Sequence, residues 1–226
     1  GHFFFRNVLP DWIKHWHGDG ILARVRSQKI AELLGKLGVP IVDLMSEFLL
    51  KRIPSVGLDH QKIAALAANH LHECGVRLFG YCGVHGAQWA QRRYEYFNAS
   101  ITGLGFKLQE YWLPTRSSRA WSSEAERVRL ARWVADLPKP VGVMACSDLV
   151  GQRVLEACRR ADVLVPEEIA VIGVDNDDNL CRISAPFLSS IMVGHDRVGF
   201  YGAQLLDQLM QGKPPPREPL VVGVPC

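Results

Sequence analysis

The segment VPEEIAVIGVDNDDNLC, Val165 to Cys181, carries the reading of the fold. Its apolar run, Ile169 to Val174, does not alternate with polar residues, the pattern of a parallel strand covered on both faces. The run then drops at once into Asp175-Asn176-Asp177-Asp178. A strand buried on both sides rarely ends in so many polar groups by accident. They face a metal, a reaction, a ligand or only water.

The same unit recurs on either side. VGVMA (141–145) is a second apolar run, and SDLVGQRVLEACRRA after it is a helix with Val150, Val154, Ala157, Cys158 and Ala161 on one side. Phe3–Phe5, Ile21–Ala23, VPIVDL (39–44), RLFGYCG (77–83), KLQEYWL (107–113) and PLVVGV (219–224) read as further strands. Between them lie helices at 9–16, 86–105, 124–137 and 196–212. Another runs from a Ser27 cap to Gly38, with Ile30, Leu33, Leu34 and Leu37 in helical spacing. A further one follows an Asp59 cap, with Ile63, Leu66, Ala67, His70 and Leu71 on one face. The stretch 45–58 has no regular pattern, and PTRSSRAWSSE (114–124) is a polar loop. Repeated strand–helix units predict an α/β protein with doubly wound parallel sheet, whose ligands bind beyond the carboxyl ends of the strands.

Size and charge narrow the function. A chain of 226 residues, 48% hydrophobic, suffices for one domain or two small lobes. With 26 basic against 23 acidic residues, charge gives no argument for nucleic acid binding in this piece. No apolar run approaches the roughly 20 residues of a membrane helix, and GHFFFRNVLP lacks the order of a signal peptide. Six scattered cysteines without a C-x-x-C pair read as reduced thiols of a cytosolic protein.

Asp175, at the end of its strand, is expected to face a ligand: an ionised carboxylate only accepts, so it suits a hydroxyl-rich partner such as a sugar. Asp177 and Asp178 read as a solvated turn or a cap. Ser147 and Asp148 open a helix after another strand; they cap it, and one of them can also face the cleft. Trp89 and Arg93, four apart, share a helical face and suit the ring face and hydroxyls of a sugar, the alternative being a core tryptophan beside a solvated arginine. Trp121, in the polar loop, is a second stacking plate or a residue covering its own helix. No catalytic residue emerges. His195-Asp196 and Ser189-Ser190 have the right types but no triad geometry, and G-x-S-x-G, H-E-x-x-H and G-x-x-x-x-G-K-[ST] are absent. His15, His17 and Asp19, or His70 and His72, resemble metal ligands only superficially, so no metal and no cofactor is expected.

SVGLDHQKIAALAANHLHECGVRLFGYCG (55–83), RRYEYFNASITGLGF (92–106), VGVMACSDLVGQRVLEACRRADVLVPEEIAVIGVDNDD (141–178) and APFLSSI (185–191), in that order, resemble the effector domain of the lac-repressor/ribose-repressor transcription factors. That domain has the type I periplasmic-binding-protein fold. WHGDGILAR (16–24) and GVDNDDNLCRISAPFLSSI (173–191) resemble the branch of xylose-operon regulators. The resemblance covers nearly the whole chain. It implies two lobes, 1–77 with 191–212 and 78–190 with 213–226, and a sugar, a pentose such as D-xylose, in the cleft. Arg93, four residues before Phe97, and Asp175 would hold hydroxyls. Trp89 and Trp121 would stack on the sugar, and Ser147, Asp148, Asn176 and Arg24 would support it. Ser147 stands where the family often has the longer Asn.

The resemblance further implies that the family's first strand and helix are lacking here, and that an AraC-type DNA-binding module follows beyond Cys226. It implies a cytoplasmic homodimer of a regulator. A periplasmic sugar-binding protein of a transporter is the alternative, decided by the upstream gene sequence. An enzyme of the same sheet architecture is disfavoured, and turnover of an ester panel lost on replacing Ser190 or His195 would revive it.

Overall fold

Among the described residues the long apolar runs form strands, and most strands are separated by helices. The structure, a computed structural model, describes residues 11–15, 17–25, 27–45, 53–116 and 118–224. In chain order the elements are β1 (Ile21–Ala23), α1 (Gln28–Gly35), β2 (Ile41–Leu44), β3 (Ser55–Leu58), α2 (His60–Glu73), β4 (Leu78–Val84), α3 (Gln88–Gly103) and β5 (Leu108–Leu113). There follow α4 (Glu124–Asp136), β6 (Val141–Ala145), α5 (Asp148–Arg160), β7 (Ile169–Asp175), α6 (Asp178–Ile183), β8 (Ser189–Met192), α7 (His195–Met210) and β9 (Leu220–Val222). Short 3₁₀ turns lie at Asp11–His15 and Arg119–Ser122.

The strands form two parallel sheets, in the orders β1-β2-β3-β9 and β5-β4-β6-β7-β8. This is the α/β architecture that the sequence predicts. Three short elements escape the pattern reading. β3 is four residues with a central glycine, β8 is the polar-rich edge strand Ser-Ser-Ile-Met, and α6 is a six-residue helix. None is long enough to show a period. The helix expected at 9–16 is a single 3₁₀ turn over Asp11–His15, and the strand expected at Phe3–Phe5 lies outside the described residues.

The chain divides into two compact units, Gly1–Asp59 with Gly194–Val224, and His60–Val193. These boundaries differ from those that the resemblance implies. Residues 213–224 go with the first unit because β9 pairs with β3, Val56 opposite Leu220 and Leu58 opposite Val222. Helix α2 goes with the second because its main neighbour is α3.

In the first unit, Ser27 caps α1 by accepting from the Ile30 N–H at 3.3 Å, and the helix ends at Gly35, three residues before Gly38. Val25, Ile30, Ala31, Leu34 and Ile41 form its core. Asp43, buried in β2, accepts from the Val25 N–H at 2.8 Å. Helix α7 packs on β1, β2 and β3, with Gly202 directly over the Leu44 side chain.

In the second unit the alternation of side chains shows helices on both faces of the sheet. Tyr81 of β4 donates its hydroxyl to the Ala90 carbonyl of α3 at 2.6 Å, while the next-door Gly80 faces Trp133 of α4. In β6, Gly142 faces Leu71 of α2. The inward side of α2 is Ile63, Ala64, Ala67, Ala68 and Leu71, whereas Leu66 and His70, expected on the core face, are exposed. Small residues, which hydrophobicity ranks low, face inward here, and they suit close approach of a neighbouring helix.

Gly83 of β4 sits opposite Trp112 of β5, and a Cβ there would lie 2.5 Å from the indole ring. The ring also packs against Tyr81 and Tyr94, so it has little room to retreat. A Gly83→Ala variant is expected to lose about 1–3 kcal/mol, the ordinary cost of overpacking, read as a lower urea midpoint of tryptophan fluorescence.

Candidate functional site

Arg93 is charged yet only 2% exposed, and an isolated buried cation is costly unless acceptors surround it. Three surround this one. Its Nη1 donates to the Cys146 carbonyl at the end of β6, its Nε to His60 Nδ1 at 3.4 Å, and its Nη2 pairs with Asp175 Oδ1 at 3.5 Å. The last distance makes an ion pair more than a strong hydrogen bond. Trp89, one turn earlier on α3, lies against the guanidinium with its ring centroid 5.1 Å away, as the four-residue spacing predicts. The reading of Arg93 as solvated surface is thereby excluded. Arg93 and Asp175, 82 residues apart, meet.

His60 completes the cluster and was not expected from the sequence, where it is merely the first residue of a helix. Burial, and then the neighbouring Arg93 and Arg92, lower its pKa to about 3. The ring is therefore neutral near pH 7, and its Nδ1 lone pair is available to Arg93. Burial likewise pushes the Cys146 thiol up to about 12, which keeps it protonated near pH 7.

Beyond Val174 the chain takes an unusual path. Asp175 has φ +117° and Asn176 φ +53°. Asparagine tolerates the left-handed region, but an aspartate at +117° is strained by about 1–3 kcal/mol. Asp148 holds this turn. Its Oδ2 accepts from the Asp177 N–H at 2.7 Å and its Oδ1 from the Ser190 hydroxyl at 2.5 Å, while Ser190 Oγ accepts from the Asn176 N–H at 3.0 Å. Asp148 is 1% exposed, and its burial raises its pKa against the opposing pull of these bonds. The space it fills is left by Gly173, where a Cβ would sit 2.3 Å from Asp148 Oδ1. Asp148 thus braces the turn that presents Asp175, instead of facing outward itself. Ser190 serves the same brace.

The remaining polar residues separate. Asp177 caps α6, accepting from the Leu180 N–H at 3.1 Å, and Asp178 pairs with Arg182 on the exposed side. Ser147 occupies the N-cap position of α5 but makes no side-chain capping bond. The Asn176 side chain is exposed beside Asp175. Trp121 is half-buried in the second 3₁₀ turn with the Arg153 guanidinium 5.0 Å from its ring centroid, so its ring contact is with α5 and not with Arg93. Arg24 is exposed just after β1, in the first unit. Cys74, Cys82, Cys146, Cys158 and Cys181 are free thiols. Among the described residues no group of three His, Cys, Asp or Glu side chains could hold a metal ion, and no helix is long and apolar enough to cross a membrane.

Two parallel sheets, with functional side chains gathered at strand ends, are the pattern of one large group of ligand binders. The family model for the periplasmic binding protein-like domain matches residues 68–226. The chain belongs to that family. The xylose operon regulatory protein of Escherichia coli K12 is 28% identical over 219 residues, 94% of this chain and 55% of the relative. The HTH-type transcriptional regulator GntR of Pseudomonas aeruginosa is 30% identical over 221 residues, 94% of this chain and 63% of the relative. Among solved structures, a xylose-binding transcription activator XylR superposes with a TM-score of 0.79 at 26% identity, covering 92% of this chain and 56% of its own. The chain has the type I periplasmic-binding-protein-like fold of these regulators. It spans little more than half the length of the xylose regulators it matches.

Two consequences of this family member's site are measurable. Below about pH 6.5 the unfolded chain protonates His60, while the folded ring stays neutral down to about 3. The unfolded state then binds more protons, so stability rises with pH across this window and is lost as pH falls through it, by up to ~1.4 kcal/mol per unit. Urea titrations at pH 7 and 5 are expected to show a smaller loss for His60→Asn, which cannot titrate, than for the parent. Separately, Ser190→Ala removes a donor to Asp148 and the acceptor of the Asn176 N–H, and is expected to cost about 1–3 kcal/mol in the same measurement.

Proposed function

We propose that the chain is the sugar-sensing effector domain of a bacterial transcription regulator, with a pentose, D-xylose first, as its ligand. The observation that carries the reading is the Arg93–Asp175 pair at the strand ends, with Trp89 on the face of the guanidinium. A sugar hydroxyl both donates and accepts. Asp175 supplies an acceptor and Arg93 supplies donors, three of its five N–H groups being used by the acceptors named above. Asp175 is the accessible member, its side chain 32% exposed against 3% for Arg93. With His60 neutral, the positive charge of Arg93 is balanced by Asp175, which suits an uncharged polyol over a sugar acid or phosphate.

The relatives support the regulator class, since the two named are a xylose operon regulator and an HTH-type transcriptional regulator. Ligand binding would act as a population shift read by attached DNA-binding modules, of AraC type, in a cytoplasmic homodimer. In this reading Trp121, Ser147, Asn176 and Arg24 add to the ligand contacts, and Asp148 acts through the turn it braces.

A thermal-shift panel of D-xylose, D-xylulose, D-ribose, L-arabinose, D-glucose and cellobiose tests the proposal. Saturation at 100 times Kd adds about 2.7 kcal/mol, or about 5–10 °C for a chain of this size. A pentose is expected to give that shift and Asp175→Ala to abolish it. An equal shift in the variant removes Asp175 from the site, and no shift with any sugar overturns the reading.

A further inference from the structure

We infer that His60 is a positioning residue for ligand recognition, its ring nitrogen holding the Nε edge of Arg93 so that Nη2 is turned to Asp175. The inference rests on the sugar-sensing reading. A guanidinium is planar and rigid, so fixing one N–H fixes the directions of the other four. Nε and Nη2 share one edge of that plane. His60 takes the first at 3.4 Å and Asp175 the second at 3.5 Å, while the Cys146 carbonyl takes Nη1. The Trp89 ring covers one face of the guanidinium, whose carbon lies 5.1 Å from the ring centroid. Of these partners, the Cys146 carbonyl is main chain and common to any residue. His60 is the neutral side chain that sets the in-plane rotation.

The choice of residue type matters. A carboxylate at position 60 would form a second ion pair with Arg93 and compete with Asp175 for it. A lysine or arginine would repel it. A neutral imidazole accepts one hydrogen bond and leaves the charge of Arg93 for Asp175 and a ligand. The surroundings keep it neutral: it is 6% exposed, with Arg92 and Arg93 of α3 beside it and Asp175 of β7 across the guanidinium. Acceptance at Nδ1 requires that the proton sit on Nε2. Asparagine is the conservative test, because its Oδ1 occupies nearly the place of histidine Nδ1; leucine keeps the bulk and removes the acceptor.

The test uses the 226-residue chain at pH 7 with D-xylose as the probe. Long-range ¹⁵N NMR of the ligand-free protein is expected to show His60 as the Nε2–H tautomer and the Arg93 Nε–H in slow exchange. That Arg93 signal is expected to persist in His60→Asn and to vanish in His60→Leu. By calorimetry, the Kd for D-xylose is expected to rise about tenfold or more in His60→Leu and to stay within about threefold of the parent in His60→Asn. An Nδ1–H tautomer, or a His60→Leu protein with parental Arg93 signal and Kd, overturns the inference. Equal losses of affinity in both variants overturn it too, as that is the mark of a packing role. A parent protein that binds neither D-xylose nor any other sugar of the thermal-shift panel overturns the sugar reading and with it the ligand role. The Arg93 signal in the two variants then still decides whether His60 positions the guanidinium.

Discussion

A guanidinium taken out of water costs several kcal/mol unless acceptors surround it, and the second unit meets this need at Arg93 by bringing three segments to one point. The start of α2 delivers His60, the end of β6 delivers the Cys146 carbonyl, and the end of β7 delivers Asp175. Each is far from the others in sequence; the sheet places Cys146 and Asp175, and helix α2 places His60. The parallel order β4-β6-β7 puts the relevant strand ends side by side, so that one arginine on the helix after β4 can reach both. The cation therefore ties the register of the sheet to the start of a helix that packs on another helix.

The carboxylate that faces this cation depends in turn on a second buried acid. Asp148 bonds to Ser190 and to the Asp177 N–H, and Gly173 makes room for it. Those bonds offset the backbone strain at Asp175. Two aspartates, one ending β7 and one opening the helix after β6, thus have opposite duties. One is a third exposed and paired with a cation; the other is enclosed and satisfied by neutral donors.

Much of this was legible in the residues. The buried strands at 141–145 and 169–174, the helices that follow β4 and β6, and the Trp89–Arg93 face all follow from period and spacing. Asp175 as the end of a buried strand follows from an apolar run ended by carboxylates. What stayed hidden had no period to show. β3 and β8 are four residues each, α6 is six, and His60 looks like any polar residue at a helix start. On α2, Leu66 and His70 turn outward because Ala64 and Ala68, small and weakly hydrophobic, share the inward side with Ile63, Ala67 and Leu71. The packing of Trp121 against Arg153, 32 residues away, is a contact that no local pattern encodes.

By itself the sequence determined the class of fold, the longer strands and their parallel direction, and a set of candidate residues for a hydroxyl-rich ligand. It did so because strand burial and helix faces are written in local hydrophobic period. Only the tertiary structure decided which of those residues meet. Roles such as the neutral acceptor of His60, the inward brace of Asp148 and the paired charge of Asp175 are set by what crosses from other segments. Burial and distance to a partner are properties of the packed chain, and no residue carries them alone.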